Sequence, residues 1–170
     1  MPSLETYATF VTNETHRELF RNGSLVEEWS SAYPMLFDSD DIRIAHNQRH
    51  LGYHYYEWLA AILIYHTTGH LSLVETYAYK SHAKKRQILE TLVTGDVLDF
   101  IASKGIQSVT QCPDLLVYTP NDKSWFFCEI KGPRDKLRVK QVNFFEELAQ
   151  VSGKEIKVVR FQAENPLNRA

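Results

Sequence analysis

Cysteine is nearly absent. Cys112 and Cys128 are the only two in 170 residues, too few for a disulfide framework or a cysteine-built metal knot. Long apolar runs are missing too: no stretch approaches the roughly 20 residues that a membrane-spanning helix needs. The N-terminus has no basic region leading into an apolar segment of the kind that directs export. The expectation is a cytoplasmic protein without membrane association. Excess positive charge is also lacking, since 19 Lys and Arg against 21 Asp and Glu give a formal charge of −2. An acidic partner must therefore be argued from where the charge lies rather than from its total. No repeat, low-complexity tract or linker breaks the chain, and 44% hydrophobic with 24% charged residues suits one domain with its own core.

What is present is most informative between Pro113 and Gln141. Leu115–Tyr118 and Trp125–Ile130 are β-branched and aromatic runs on either side of Thr119–Ser124, whose Pro, Asn, Asp and Ser read as a turn. This is a hairpin. A symmetric loop sets Tyr118 opposite Trp125 and Leu116 opposite Phe127; continuing that register brings Asp114 opposite Glu129, with Lys131 on the same face. The same register puts Cys112 and Cys128 on opposite faces, so both are expected to stay reduced.

Facing carboxylates repel, by roughly 0.2–1 kcal/mol on an exposed sheet face and by more where water is scarce. Lys131 offsets part of that charge, but a divalent cation accepts oxygens from both groups and keeps waters of its own. Such an ion lowers the pKa of a bound water and offsets charge on a phosphate under attack. Asp114, Glu129, Lys131 and the carbonyl of Ile130, which the strand presents between the two acids, therefore read as a hydrolytic phosphodiester site for Mg²⁺ or Mn²⁺. The plain alternative is a salt-bridged trio of strand residues.

Pro113-Asp114 followed by Glu129-Ile130-Lys131 resembles the PD-(D/E)XK nuclease pattern. The continuation Gly132-Pro133-Arg134-Asp135-Lys136-Leu137-Arg138-Val139-Lys140-Gln141 resembles the VRR-NUC branch, where Glu-x-Lys-Gly/Ala-Pro precedes a basic linker and a helix bearing Gln. The resemblance covers about Cys112 to Phe161. It implies a restriction-endonuclease-like α/β fold, a central mixed sheet flanked by helices, here with a helical N-terminal extension. It implies that Gln141 lines the site and that a glutamate on the helix before the first core strand completes the metal set. Glu57 holds that position, sharing a helical face with Ala60, Ala61 and Ile64, small or apolar neighbours that let a sheet edge approach. A solvent-facing role is its alternative. Glu75, on an expected strand Leu71–Tyr79, is a rival for the same task.

Elsewhere, Asn13 or Thr12 is placed to cap a helix over Glu14–Arg21, Leu25–Ala32 reads as a second helix, and Asp38-Ser39-Asp40-Asp41 as a helix N-cap or exposed loop. His46, His50 and His54 recur at helical spacing, but without a fourth ligand they read as hydrogen-bonding or solvated histidines. A helix is expected from Arg49 to His66. Another, capped by Ser81, carries Lys84, Lys85 and Arg86 in its first turns; cations there oppose the helix dipole, so contact with phosphates or a solvated face would account for them. Arg134, Lys136, Arg138 and Lys140 form a second basic run. It precedes a helix with Val142, Phe145, Leu148 and Ala149 inward, which Gly153 ends before a strand over Ile156–Phe161.

The expected organisation is an extension over 1–48, a core over 49–163 and a frayed tail, within one domain. The expected function is a metal-dependent nuclease hydrolysing DNA, with phosphates lying along the two basic runs. The resemblance leaves two roles open: action on branched, flapped or junction DNA, with a homodimer as one arrangement, or an indiscriminate DNase toxin neutralised by an inhibitory partner protein. The alternative from another class is a catalytically inactive nucleic-acid-binding or scaffolding module. The motif does not distinguish RNA from DNA.

Overall fold

The computed structural model describes residues 4–108 and 112–165. Strands β1 (Thr6–Thr12), β2 (Leu71–Val74), β3 (Leu115–Tyr118), β4 (Trp125–Lys131) and β5 (Lys157–Ala163) form one sheet in the order β1-β5-β4-β3-β2. β1 and β4 run parallel to β5, while β2, β3 and β4 are joined antiparallel. The hairpin register is the one its alternation predicts: Tyr118 pairs with Trp125, Leu116 with Phe127 and Leu115 with Cys128.

The helices are α1 (Glu14–Arg21), α2 (Ser24–Ala32), α3 (Ser39–Gln48), α4 (Tyr55–Thr68), α5 (Ala83–Leu92), α6 (Gly95–Ser108) and α7 (Val139–Ser152). They cover both faces of the sheet. Because strand side chains alternate, Val74, Leu115, Val117, Cys128 and Ile130 enter a core with α1–α4. Leu73, Leu116 and Phe127 enter another with α5–α7.

Asn13 caps α1 by accepting from the His16 amide at 2.8 Å. Asp38 and Asp41 close a reciprocal capping box on α3, each side chain accepting from the other's amide, at 2.9 and 3.0 Å. α4 is buried on more sides than its single expected apolar stripe, since it lies between the sheet and α1–α3. Trp58 stacks on Phe37 with ring centroids 3.8 Å apart. The Tyr55 hydroxyl bonds Thr12 at 2.8 Å and His16 at 2.7 Å, tying β1, α1 and α4 together.

Four expectations are corrected. The opening segment is not wholly helical, because Thr6–Thr12 completes the sheet on β5. The helix expected from Arg49 breaks at Gly52 (φ 77) and His54 (φ 75), so α4 starts at Tyr55 and the three histidines share no stripe. α5 begins after His82 with no side-chain cap, so Ser81 does not cap it. β5 runs past the expected strand end at Phe161 to Ala163, and the Glu164 amide still bonds the Thr12 carbonyl at 2.8 Å; residues 166–170 of the expected frayed tail lie outside the described residues. No helix among the described residues is long and apolar enough to cross a membrane.

Candidate active site

β2 stops where alternation alone would carry it on. Glu75 and Thr76 adopt φ of 47° and 48°, a left-handed conformation rare for any residue with a Cβ and rarer for a β-branched one, at roughly 1–3 kcal/mol each. Lys85 holds this bend. Its buried ammonium pairs with the Asp41 carboxylate and donates to the carbonyls of Val74, at 2.5 Å, and Glu75, at 3.2 Å. Burial pushes the Asp41 carboxyl up to about 6 against the opposing pull of Lys85. The Glu75 amide then donates to the Asp114 carbonyl at 2.7 Å, which brings the two acids side by side at the sheet end.

Glu57 arrives from the first turn of α4. One carboxylate oxygen each from Glu57, Glu75 and Asp114 lie within 4.8 Å of one another. The Asp114 Oδ2 also accepts from the Ile130 amide at 2.9 Å, which locks its orientation. Burial, then the charge of Glu75, pushes the Glu57 carboxyl up to about 8. Burial and then Glu129, Glu57 and Glu75 drive Asp114 well above the usual carboxylate range. Acids held this close repel one another, and a hard cation accepting an oxygen from each would offset that repulsion.

Glu129 and Lys131 lie on the same side of β4 as Phe127, facing α7. Lys131 Nζ sits 3.0 Å from Glu129 Oε1. Gln141, buried on the first turn of α7, donates from Nε2 to Glu129 Oε1 at 2.9 Å. Its Oε1 accepts from Lys131 Nζ at 3.3 Å and from the Arg138 amide at 3.1 Å. Burial raises the Glu129 carboxyl, while Lys131 and Gln141 pull it back.

His54 is the residue that spacing did not single out for this place. Its left-handed backbone starts α4 and turns Nδ1 to 2.5 Å from Glu75 Oε2 and Nε2 to 2.5 Å from Gln48 Oε1. The ring thereby links Glu75 of the acid cluster to Gln48 at the end of α3. Burial lowers the His54 pKa, yet the bond and charge of Glu75 outweigh it and leave it raised.

Glu57, Glu75 and Asp114 thus form one carboxylate cluster, and Glu129, Lys131 and Gln141 form a bonded trio whose Glu129 charge bears on Asp114. Ile130 is buried beside them, its amide taken by Asp114. Arg134, Lys136, Arg138 and Lys140 are exposed, as is Lys84. Arg86 is turned to Glu90 and to the Ala78 carbonyl, both at 3.0 Å. Lys85 is corrected: it faces inward, 4% exposed, with its charge spent on Asp41, and cannot meet a phosphate. Cys112 and Cys128 are free thiols, and burial pushes Cys112 up to about 12.

The VRR-NUC domain family matches residues 54–162. That span covers most of the chain and holds every acid of the cluster, so the protein belongs to the VRR-NUC family and carries a nuclease-type domain. A search of curated proteins found no match. Such a domain points to DNA as substrate and to a divalent metal, for which the acid cluster is a fitting donor set.

Proposed function

We propose that the protein is a divalent-metal-dependent deoxyribonuclease with a PD-(D/E)XK core, hydrolysing phosphodiester bonds at the Asp114 site. One observation carries this reading: three carboxylates from separate elements offer oxygens within 4.8 Å of one another, beside a Glu129–Lys131 pair at 3.0 Å. Asp114, Glu57, Glu75 and Glu129, with the Ile130 carbonyl, would hold Mg²⁺ or Mn²⁺. When bound, the ion lowers the pKa of a coordinated water and offsets charge on the phosphate.

The chain's own groups do the rest. Lys131, kept in place by Glu129 and Gln141, directs an ammonium N–H at the attacking oxygen or at the charge building on the phosphate, where a fixed donor helps most in the transition state. Gln141 holds Lys131 and Glu129 in one geometry by bonding both. Arg134, Lys136, Arg138 and Lys140 line the approach and bind phosphates along the strand. These contacts read no base edges, which favours selection by DNA structure, as in flaps and junctions, over selection by sequence. The core over 49–163 and the preceding 1–48 work as one unit.

The test is cleavage of labelled duplex, single-stranded, 5′-flap and four-way-junction DNA with Mg²⁺, with Mn²⁺ and with chelator. Wild type should cut only with metal, and Asp114→Ala and Lys131→Ala should each lose activity by on the order of 10²-fold or more. Metal-independent DNA binding with no cutting of any substrate would leave a binding module instead. Equal cutting of all four substrates would favour the toxin role over a structure-selective one.

A further inference from the structure

Beside the acid cluster runs a groove that the family match only partly covers. One part, about 320 Å³, is lined by Tyr53, Glu57, Glu75 and Arg17. The next, about 460 Å³, is lined by Arg134, Gly132, Glu14 and again Arg17. Tyr56 and Asp135 border both parts, so the two are continuous. Arg17 comes from α1, before the matched span of 54–162.

Several features aim the Arg17 side chain at this groove. Gly52, at φ 77, leaves the space the guanidinium occupies: a Cβ there would lie 3.0 Å from Arg17 Nη2. The guanidinium also rests over the Tyr56 ring, 5.5 Å from its centroid. Gly132, directly after Lys131, has the same permissive role on the other wall, where a Cβ would lie 2.9 Å from the Tyr56 ring. Yet Arg17 is poorly partnered. Its Nε is buried without a hydrogen-bond partner, and Nη1 reaches Glu14 only at 3.9 Å, Glu14 being well exposed and bonded to Arg21 at 2.7 Å. Asp135, the acid common to both parts, accepts from the Gly132 amide at 3.0 Å, and Glu57 and Glu75 belong to the acid cluster. Arg17 therefore lines the groove with its nearest carboxylate 3.9 Å from Nη1, and a phosphate there supplies acceptors in the fork geometry that arginine fits.

We propose that this groove is a subsite for one DNA strand, in which Arg17, helped by Arg134, holds the phosphate next to the one attacked. The exposed ring of Tyr53 offers a stacking face for the adjoining base. This deepens the nuclease reading and rests on it, since the groove opens directly onto Glu57 and Glu75. It also gives the N-terminal segment a part in substrate binding.

The test is equilibrium binding of a fluorescein-labelled single-stranded dodecamer to the full chain carrying Lys131→Ala, which leaves the DNA uncut, in Mg²⁺ across a salt series. Adding Arg17→Gln, which keeps the side chain's stem, should weaken binding roughly five- to tenfold and lower the slope of log K against log salt by about 0.7, one single-strand phosphate contact. Arg134→Ala should do the same. A slope unchanged by Arg17→Gln overturns the proposal whatever happens to the affinity, because a merely structural arginine alters affinity without altering the number of counterions released. Cleavage by wild type is scored separately. A slope change without cleavage sinks the nuclease reading and keeps the subsite, whereas cleavage without a slope change does the reverse.

Discussion

Gln141 and Lys131 meet across the β4–α7 corner, the glutamine oxygen accepting from the lysine ammonium at 3.3 Å while its amide nitrogen donates to Glu129 at 2.9 Å. One amide thereby fixes both members of an ion pair. Gln141→Leu leaves Lys131 and Glu129 to find their own geometry and should lower kcat by about 10–100-fold with a smaller change in KM. Gln141→Glu should be at least as damaging, since it adds a carboxylate beside Glu129. Steady-state kinetics on a single DNA substrate separate the two parameters.

The acid cluster sets a pH dependence for the metal-free protein. Glu57 in the fold is pushed up to about 8 from an ordinary 4.5. Between those values the folded state binds more protons than the unfolded one, so stability falls as pH rises from about 4.5 to 8. Asp114 and Glu129 are raised too and act in the same direction. Thermal melts in chelator should therefore give a lower Tm at pH 8 than at pH 6. Saturating Mg²⁺ should raise the Tm more at pH 8, where less proton release is needed for binding.

Removing one acid relieves repulsion and removes a ligand at once. Glu57→Gln should raise the metal-free Tm at pH 8, whereas Glu75→Gln also strips His54 of its partner and should not; both should weaken Mn²⁺ binding in calorimetry, roughly tenfold or more. Loss of both stability and metal affinity in Glu57→Gln would show that the carboxylate holds the fold rather than the ion.

Asp41 and Lys85 form a buried pair that carries the bend at Glu75. Asp41→Ala leaves a buried ammonium without its counter-charge and should cost about 3–5 kcal/mol in denaturant unfolding. Asp41→Leu combined with Lys85→Met should recover much of that stability. It should not recover metal affinity, because the carbonyls of Val74 and Glu75 would still lack their donor.

The hairpin was legible because strand alternation has a period of two and a symmetric turn leaves one register; Asp114, Glu129 and Lys131 follow from it. The choice between Glu57 and Glu75 was not. Alternation carries β2 on to Tyr79, whereas the bend at Glu75 depends on Lys85, ten residues further along, and on Asp41, 44 residues before that lysine. For the same reason Lys84, Lys85 and Arg86 looked alike: a run of helical cations does not disclose which one turns inward when the partner is that remote. His54 was read among histidines at helical spacing, but its left-handed backbone breaks that register and turns the ring to Glu75 instead. Thr6–Thr12 did carry a signal, being rich in β-branched and aromatic residues, but its partner is the strand farthest from it in the chain.

That pairing has a consequence for how the molecule is made. Thr6 to Thr12 dock on Val158 to Ala163, so a growing polypeptide must wait some 150 residues between making the first strand and making its template. Throughout elongation the opening strand has no edge to join, and a nascent chain halted before residue 157 has none to offer. Ribosome-bound intermediates would thus hold Glu57, Glu75, Asp114 and Glu129 already synthesised while the sheet stays unclosed. Chaperone demand should be greatest in that interval, when an unpaired β-rich segment is free to find another chain.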